Sequence, residues 1–322
     1  MTTGTTKEAA MGEVEGTVAT TRIDAPPLRS ILFVPGHRQR WVEPARASGT
    51  DGIVFDLEDA VPVSEIDEAR RVVHDAVERF AVDGPKVLVR VAPPASDALA
   101  LDLDAVVNPG LCAVVLPLVY SPDEVRQVAD RLDLLEAQRG MEVGSTVIMP
   151  LVETAEAARL AFEIANASER VEYMGGGTSR QGDIARALGY RWTPEGTETL
   201  TMRSWVLLCV RAAGVRYPVT GLWGQVDDLD GCRQWAEQAR GLGYTGTTVI
   251  HPSHVPIVNE AFSPSRVEIE HWTAVVATME ACQAQGIGAT TFEGAMIDEA
   301  DVKTARLGLE LAGRLGRPAP GQ

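Results

Sequence analysis

From Arg29 onward the chain alternates between short, almost wholly apolar runs and longer stretches whose apolar residues recur every three or four positions. The first pattern is that of a strand buried on both faces, the second that of one face of a helix. The apolar runs are Ser30–Gly36, Gly52–Asp59, Lys86–Val91, Cys112–Leu118, Thr146–Glu153, Glu172–Met174, Pro218–Trp223 and Thr247–His251. Between them, Ile66, Ala69, Val73, Val77 and Phe80 form one helical stripe, with Ser64 as the expected N-cap. Val125, Val128, Leu132 and Leu135 form another, opened by Ser121-Pro122. Helices are also expected over Ala155–Asn166, Glu198–Ala213 and Leu229–Leu242. Eight strand-like runs, each followed by a helix-like stretch, predict an α/β chain folded as a (β/α)8 TIM barrel over residues 28–262. A doubly wound sheet is the rival, but no G-x-G-x-x-G follows the first strand and the units do not split into two halves. Beyond residue 263 the period is helical alone. Ile269, Trp272, Val276 and Met279 line one helix, Thr291–Asp298 reads as a turn, and Glu299–Leu315 as a final helix. Residues 263–322 are therefore expected to form a C-terminal helical extension packed on the barrel or on a neighbouring subunit.

Composition changes this picture at its edges. Residues 1–27, rich in Thr, Gly, Ala and Glu and ending in Pro26-Pro27, read as a disordered N-terminal tail without the apolar segment of a secretory signal. A net charge of −16 argues against nucleic acid or an anionic membrane as partner, since both attract cationic surfaces, and leaves a metal dication compatible. No apolar run reaches the roughly 20 residues of a membrane span. Cys112, Cys209, Cys232 and Cys282 are scattered with no C-x-x-C pair, as expected of reduced thiols in a cytoplasmic protein.

In such a barrel the reactive groups sit at the C-terminal ends of the strands. Those ends carry Asp56, Glu58 and Asp59 after the second run, Arg90 after the third, Glu153 after the fifth and His251 after the eighth. The sixth opens into Gly175, Gly176 and Gly177, followed by Ser179, Arg180 and Asp183. Glycines there allow a sharp turn and a close approach to a ligand. Several carboxylates on one rim repel one another unless a cation neutralises them, and oxygen ligands of this kind suit Mg²⁺, with Mn²⁺ as a stand-in. Glu153 and Asp183 are the expected metal pair, and Asp56, Glu58 and Asp59 their outer support. Each residue also has a plainer reading. Glu153 could favour a helix dipole, Asp183 could cap a helix starting at Ile184, and Arg90 could be a structural partner of the acids. His251 and His254 read as structural, since no third nitrogen ligand lies near them.

Six segments occur in the order found in one family: Arg29–Gly36 (RSILFVPG), Phe55–Val61 (FDLEDAV), Val89–Val91, Leu151–Thr154 (LVET), Ile250–Ser253 (IHPS) and Gly294–Asp298 (GAMID). From about Arg29 to about Leu315 the chain resembles the citrate lyase beta-chain-like proteins of the HpcH/HpaI aldolase superfamily, which has the malyl-CoA lyases as relatives. The resemblance implies a TIM barrel with a C-terminal extension, assembled as a homotrimer or homohexamer. It implies Mg²⁺ held at Glu153 and Asp183, and catalytic roles for Arg90 and for Asp298, the latter reaching a neighbouring subunit's site. Substrate contacts are expected from Arg29, Arg90, Gly176, Gly177, Ser179 and Arg180. The implied reaction is aldol- or Claisen-type C–C cleavage of a hydroxy or keto acid as an acyl-CoA thioester, with an acyl-CoA and a short keto acid as partners. Condensation, thioester hydrolysis and a non-catalytic metabolite-binding barrel are the alternatives. The chain departs from the family at Ile66 and Leu118, where lysines are usual, and at Ala92, where asparagine is.

Overall fold

The computed structural model describes residues 23–81, 84–178 and 180–316. Eight parallel strands close into a barrel in sequence order, the first pairing with the last through Ser30–Thr247, Ile31–Thr248 and Leu32–Val249. The units run β1 (Ser30–Pro35), α1 (Gln39–Ala47), β2 (Gly52–Asp56), α2 (Ile66–Phe80), β3 (Lys86–Arg90), α3 (Ala98–Val106), β4 (Leu111–Leu116) and α4 (Pro122–Gln138). They continue with β5 (Val147–Val152), α5 (Ala155–Arg159), α6 (Ala161–Ala165), β6 (Tyr173–Gly176), α7 (Asp183–Leu188), α8 (Thr197–Ala212), β7 (Tyr217–Thr220), α9 (Leu229–Leu242), β8 (Gly246–Val249) and α10 (Val255–Ala261). The extension comprises α11 (Arg266–Gln283), a hairpin of β9 (Thr290–Phe292) and β10 (Ala295–Ile297), and α12 (Glu299–Arg314). Among the described residues no helix is long and apolar enough to cross a membrane.

Strand alternation divides the core. Ile31, Val54, Leu88, Ala113, Val115, Met149, Tyr173 and Val219 fill the barrel, while their neighbours Leu32, Ile53, Phe55, Val87, Val89, Val114 and Ile148 pack outward against the helices. Both faces of each strand are buried, which is why the strands read as unbroken apolar runs. Ala25 and Leu28 join the interior cluster, and the Tyr173 hydroxyl donates to the Pro26 carbonyl at 2.5 Å. The last five residues of the expected tail thus pack against the barrel, and residues 1–22 lie outside the described part. The far end of α12 reaches the same region, with Arg314 donating to Asp24 at 2.9 Å and lying over the Tyr217 ring.

The elements differ from expectation in instructive places. Ser121 caps α4 with a complete capping box, but Ser64 caps nothing: a 3-10 turn over Val63–Glu65 precedes α2. The helix expected over Ala155–Asn166 breaks at Leu160 into α5 and α6. The expected turn at Thr291–Asp298 is the β9–β10 hairpin, whose tip places Glu293 and Gly294 at positive φ.

Candidate functional site

Strand alternation decides which side chains reach the barrel mouth. On β2, Val54 faces the interior and so, two residues on, does Asp56; on β3 the same holds for Leu88 and Arg90. On β5 the inward row is Met149, Leu151 and then Glu153 just past the strand. Asp56 and Arg90 are also directly paired in the β2–β3 register. These residues meet Asp183, at the start of α7, around a cavity of about 790 Å³ whose wall includes Asp56, Arg90, Glu153, Gly177 and Asp183.

Arg90 is held firmly. Its Nε and Nη2 each donate to the Asp56 carboxylate at 2.6 Å, and Nη1 lies 2.9 Å from Glu58 Oε2 and 3.7 Å from Asp59 Oδ2. The guanidinium also sits 5.4 Å from the centre of the Phe33 ring. Asp56, 1% exposed, is saturated, accepting in addition from the backbone N–H of Glu58 at 3.0 Å and of Ala60 at 3.1 Å. The structural pairing foreseen for Arg90 is therefore present, and it fixes the orientation of a cation that still lines the cavity.

One guanidinium among three carboxylates cannot neutralise them all. Burial first, then the charges of Asp59 and Asp56, push the Glu58 carboxyl up to about 7 despite the pull of Arg90. A carboxyl whose folded pKa exceeds its unfolded value of 4.5 favours the folded state at low pH, and that stability is lost as pH rises toward 7. Glu58→Gln should flatten this decline. Urea midpoints between pH 4.5 and pH 7 should fall for the wild type more steeply than for the variant. Parallel profiles would show that Glu58 titrates normally.

Glu153 is free of helix-capping duty because Thr154 performs it, accepting from Ala157 N at 2.9 Å. Burial raises the Glu153 carboxyl; Arg90 and the Leu118 N–H (3.3 Å) pull it down, and the charge of Asp183 raises it again. Leu118 adopts φ +49°, a conformation sparsely populated by non-glycine residues. Asp183 does not cap α7, which begins at Asp183 itself behind Gly182; its carboxylate is ion-paired with Arg186 one turn on. The glycines serve close packing more than a sharp turn. Gly175 and Gly176 belong to β6, and a Cβ on Gly175 would stand 1.9 Å from the Val219 carbonyl oxygen.

Four expected site residues fall elsewhere. Arg29 precedes β1, at the opposite end of the barrel, and is bound to Asp51 through Nε (2.7 Å) and Nη2 (2.6 Å) and to Ser263 (2.8 Å), so it is not a substrate ligand of this cavity. Gly176 stands behind the lining, its carbonyl accepting from Gly221 N at 3.1 Å. Arg180 is exposed and lies over the Trp192 ring at 5.8 Å. Asp298 is not in this chain's cavity wall; it caps α12, accepting from Ala300 N at 2.7 Å. Ser179 lies outside the described residues.

The cavity also contains residues the sequence did not single out. Trp41 and Pro44 of α1 form part of the wall, as do Thr178 and Thr220. His251, read as structural, lines it as well. The Ser253 N–H donates to His251 Nδ1 at 3.2 Å, which makes Nδ1 the acceptor and leaves the proton of the neutral ring on Nε2. His254 is buried, its Nε2 against the Val226 carbonyl at 3.1 Å.

With this geometry in hand, comparison with known proteins is informative. A family model described as HpcH/HpaI aldolase/citrate lyase matches residues 29–252. The chain is 32% identical over 284 residues to citrate lyase subunit beta of Escherichia coli (strain K12), across 88% of this chain and 93% of that one. It is 33% identical over 282 residues to a (3S)-malyl-CoA thioesterase of Cereibacter sphaeroides (strain KD131), with the same shares covered. Among solved structures, CitE from Mycobacterium tuberculosis in complex with magnesium, acetoacetate and coenzyme A superposes with a TM-score of 0.69 at 28% identity, covering 90% of this chain and 98% of that one.

Proposed function

The chain belongs to the HpcH/HpaI aldolase/citrate lyase family, and from that premise we propose that it is a Mg²⁺-dependent carbon–carbon lyase of the aldol or Claisen type. Its substrate is a hydroxy or keto acid presented as an acyl-CoA thioester. The observation that carries this reading is the convergence of Glu153, Asp183 and Arg90 on one cavity.

The donor set fits the metal. Among the described residues no cluster of three His, Cys, Asp or Glu side chains could enclose an ion, so the site offers two carboxylates, Glu153 and Asp183. Mg²⁺ commonly takes one or two carboxylates and leaves its other positions to water and substrate. Held there, it would polarise a substrate carbonyl or hydroxyl oxygen as a Lewis acid. The solved CitE relative is a complex with magnesium.

The chain's own groups supply the rest. Arg90, locked by Asp56 and Glu58, offers its remaining N–H groups as a fixed positive charge to the substrate carboxylate or developing oxyanion. Its orientation is set before substrate arrives, so little reorganisation is needed during reaction. The apolar wall keeps the reacting carbon out of bulk water. Proton transfer at that carbon falls to Asp298 of a neighbouring copy in a homotrimer or homohexamer, since this chain's own Asp298 is outside the cavity.

Removing the metal tests the reading. Dialysis against EDTA should abolish turnover of an acyl-CoA substrate, and Mg²⁺ add-back should restore it. Unchanged turnover would overturn the assignment. A second reading, thioester hydrolysis on the same scaffold, is favoured by the similarity to the malyl-CoA thioesterase. The products separate the two: cleavage yields a keto acid and a shorter acyl-CoA, hydrolysis yields a free acid and CoA.

A further inference from the structure

We propose that Trp192 is a positioning residue for the metal site. Clasped by Arg180 on one side and stacked on Trp223 on the other, it holds α7, and with it the Asp183 carboxylate, at the cavity wall. This rests on the lyase reading above and concerns how one of its two carboxylates is kept in place.

Helix α7 needs an outside support. It is six residues long, Asp183–Leu188, and an isolated helix below about 12 residues is marginal in water. No side chain caps its start, where Gly182 stands. The Arg186–Asp183 ion pair lies within the helix itself, with the Arg186 side chain 70% exposed, so it does not tie α7 to the barrel. Ile184 anchors the inner face, buried and lining the cavity. The outer side is left to the segments that enter and leave the helix.

Those segments close on each other. Arg180, three residues before Asp183, lies over the ring of Trp192, nine residues after it, at 5.8 Å from the ring centre. Trp192 in turn packs on Trp223, ring centres 5.2 Å apart and planes tilted by 55°, and Trp223 lies 6.4 Å from Trp235. The inner two indoles are fixed. Trp223 is buried against Gly231, where a Cβ would stand 2.4 Å from its ring, and Trp235 donates Nε1 to the Gly221 carbonyl at 3.1 Å, beneath Arg203 at 4.5 Å. The chain just past Trp192 is also held, since Thr193 donates through N (2.8 Å) and Oγ1 (2.7 Å) to the Glu198 carboxylate of α8. A row of three indoles thus joins the Asp183 loop to α9 and to Gly221 at the end of β7, which lines the same cavity. The charge of Asp183 already acts on Glu153, so a shift of α7 changes the spacing of the pair that a dication must bridge.

The test is Mg²⁺ calorimetry on the full-length protein, paired with amide hydrogen exchange without metal. Trp192→Ala should raise the Mg²⁺ Kd by about fivefold to tenfold, and Trp192→Phe, which keeps a ring on Trp223, should stay within about twofold of wild type. In the alanine variant the amides of Arg186 (to Gly182 O, 3.1 Å) and Gly189 (to Ala185 O, 2.8 Å) should exchange faster, while those of β3 keep their wild-type rates. Arg180→Ala, at an exposed position, should speed the same two amides by about twofold to fivefold. Faster exchange in β3 in step with α7 would reveal a general loss of stability and overturn the positioning role. Wild-type Mg²⁺ affinity in Trp192→Ala, or unchanged α7 exchange in both alanine variants, overturns it too and leaves the lyase reading standing. No Mg²⁺ binding by the wild type overturns both.

Discussion

Glu153→Ala is expected to lower kcat/KM for the acyl-CoA substrate by roughly 10³-fold, equivalent to about 4 kcal/mol of lost transition-state stabilisation. The Mg²⁺ binding heat should disappear with it. Glu153 is well placed for this role because its carboxyl is buried at the cavity wall, raised by desolvation and by the charge of Asp183, and only partly relieved by Arg90 and the Leu118 N–H. A dication between the two carboxylates would remove that repulsion and draw the proton off, so metal binding should weaken as pH falls. Thr154, not Glu153, caps the following helix, so the alanine variant should still fold, losing the hydrogen bond from the Leu118 N–H together with the repulsion from Asp183. Glu153→Asp keeps the charge on a stem one methylene shorter and should retain part of the activity at raised Mg²⁺. Wild-type Mg²⁺ dependence in the alanine variant would remove Glu153 from the mechanism.

The barrel was legible because a parallel sheet covered on both faces requires apolar strands, and the sequence supplies eight of them. Position carried the reading into the site, because Asp56, Arg90 and Glu153 stand at the C-terminal ends of their strands; alternation in the closed barrel, with Val54, Leu88 and Met149 interior, then turns them into the cavity. What failed was conformation outside the strands. Arg29 belongs to a motif whose Pro-Gly end lies at the mouth, but Arg29 itself precedes the strand, and a strand of six residues puts its two ends on opposite faces of the barrel. The spacing from Gly175 to Asp183 gave no indication that two of the glycines belong to the strand and serve its packing against Val219. Thr178 and Thr220 carried no signal at all. Threonine is ordinary in a loop or strand, and only the closed barrel reveals that their hydroxyls are buried without partners.

Asp56→Ala is expected to destabilise the protein by about 3–5 kcal/mol, read as a lowered urea midpoint at pH 7.5. It removes both Arg90 hydrogen bonds and orphans the N–H groups of Glu58 and Ala60. It also leaves a guanidinium whose side chain is 13% exposed without its principal counter-charge. Arg90→Met should be comparably destabilising, because Asp56, Glu58 and Asp59 then face one another with no cation between them. The double variant, Asp56→Ala with Arg90→Met, should lose less than the sum of the two, since no unpaired charge of that pair remains buried. Its activity should nevertheless stay at the level of Arg90→Met alone, at least about 10²-fold below wild type. Stability recovered without activity is the outcome required if the pair exists to hold a cation at the cavity and contributes little net stability itself. Additive losses of stability would instead make Asp56 and Arg90 independent, and would refute the view that one positions the other.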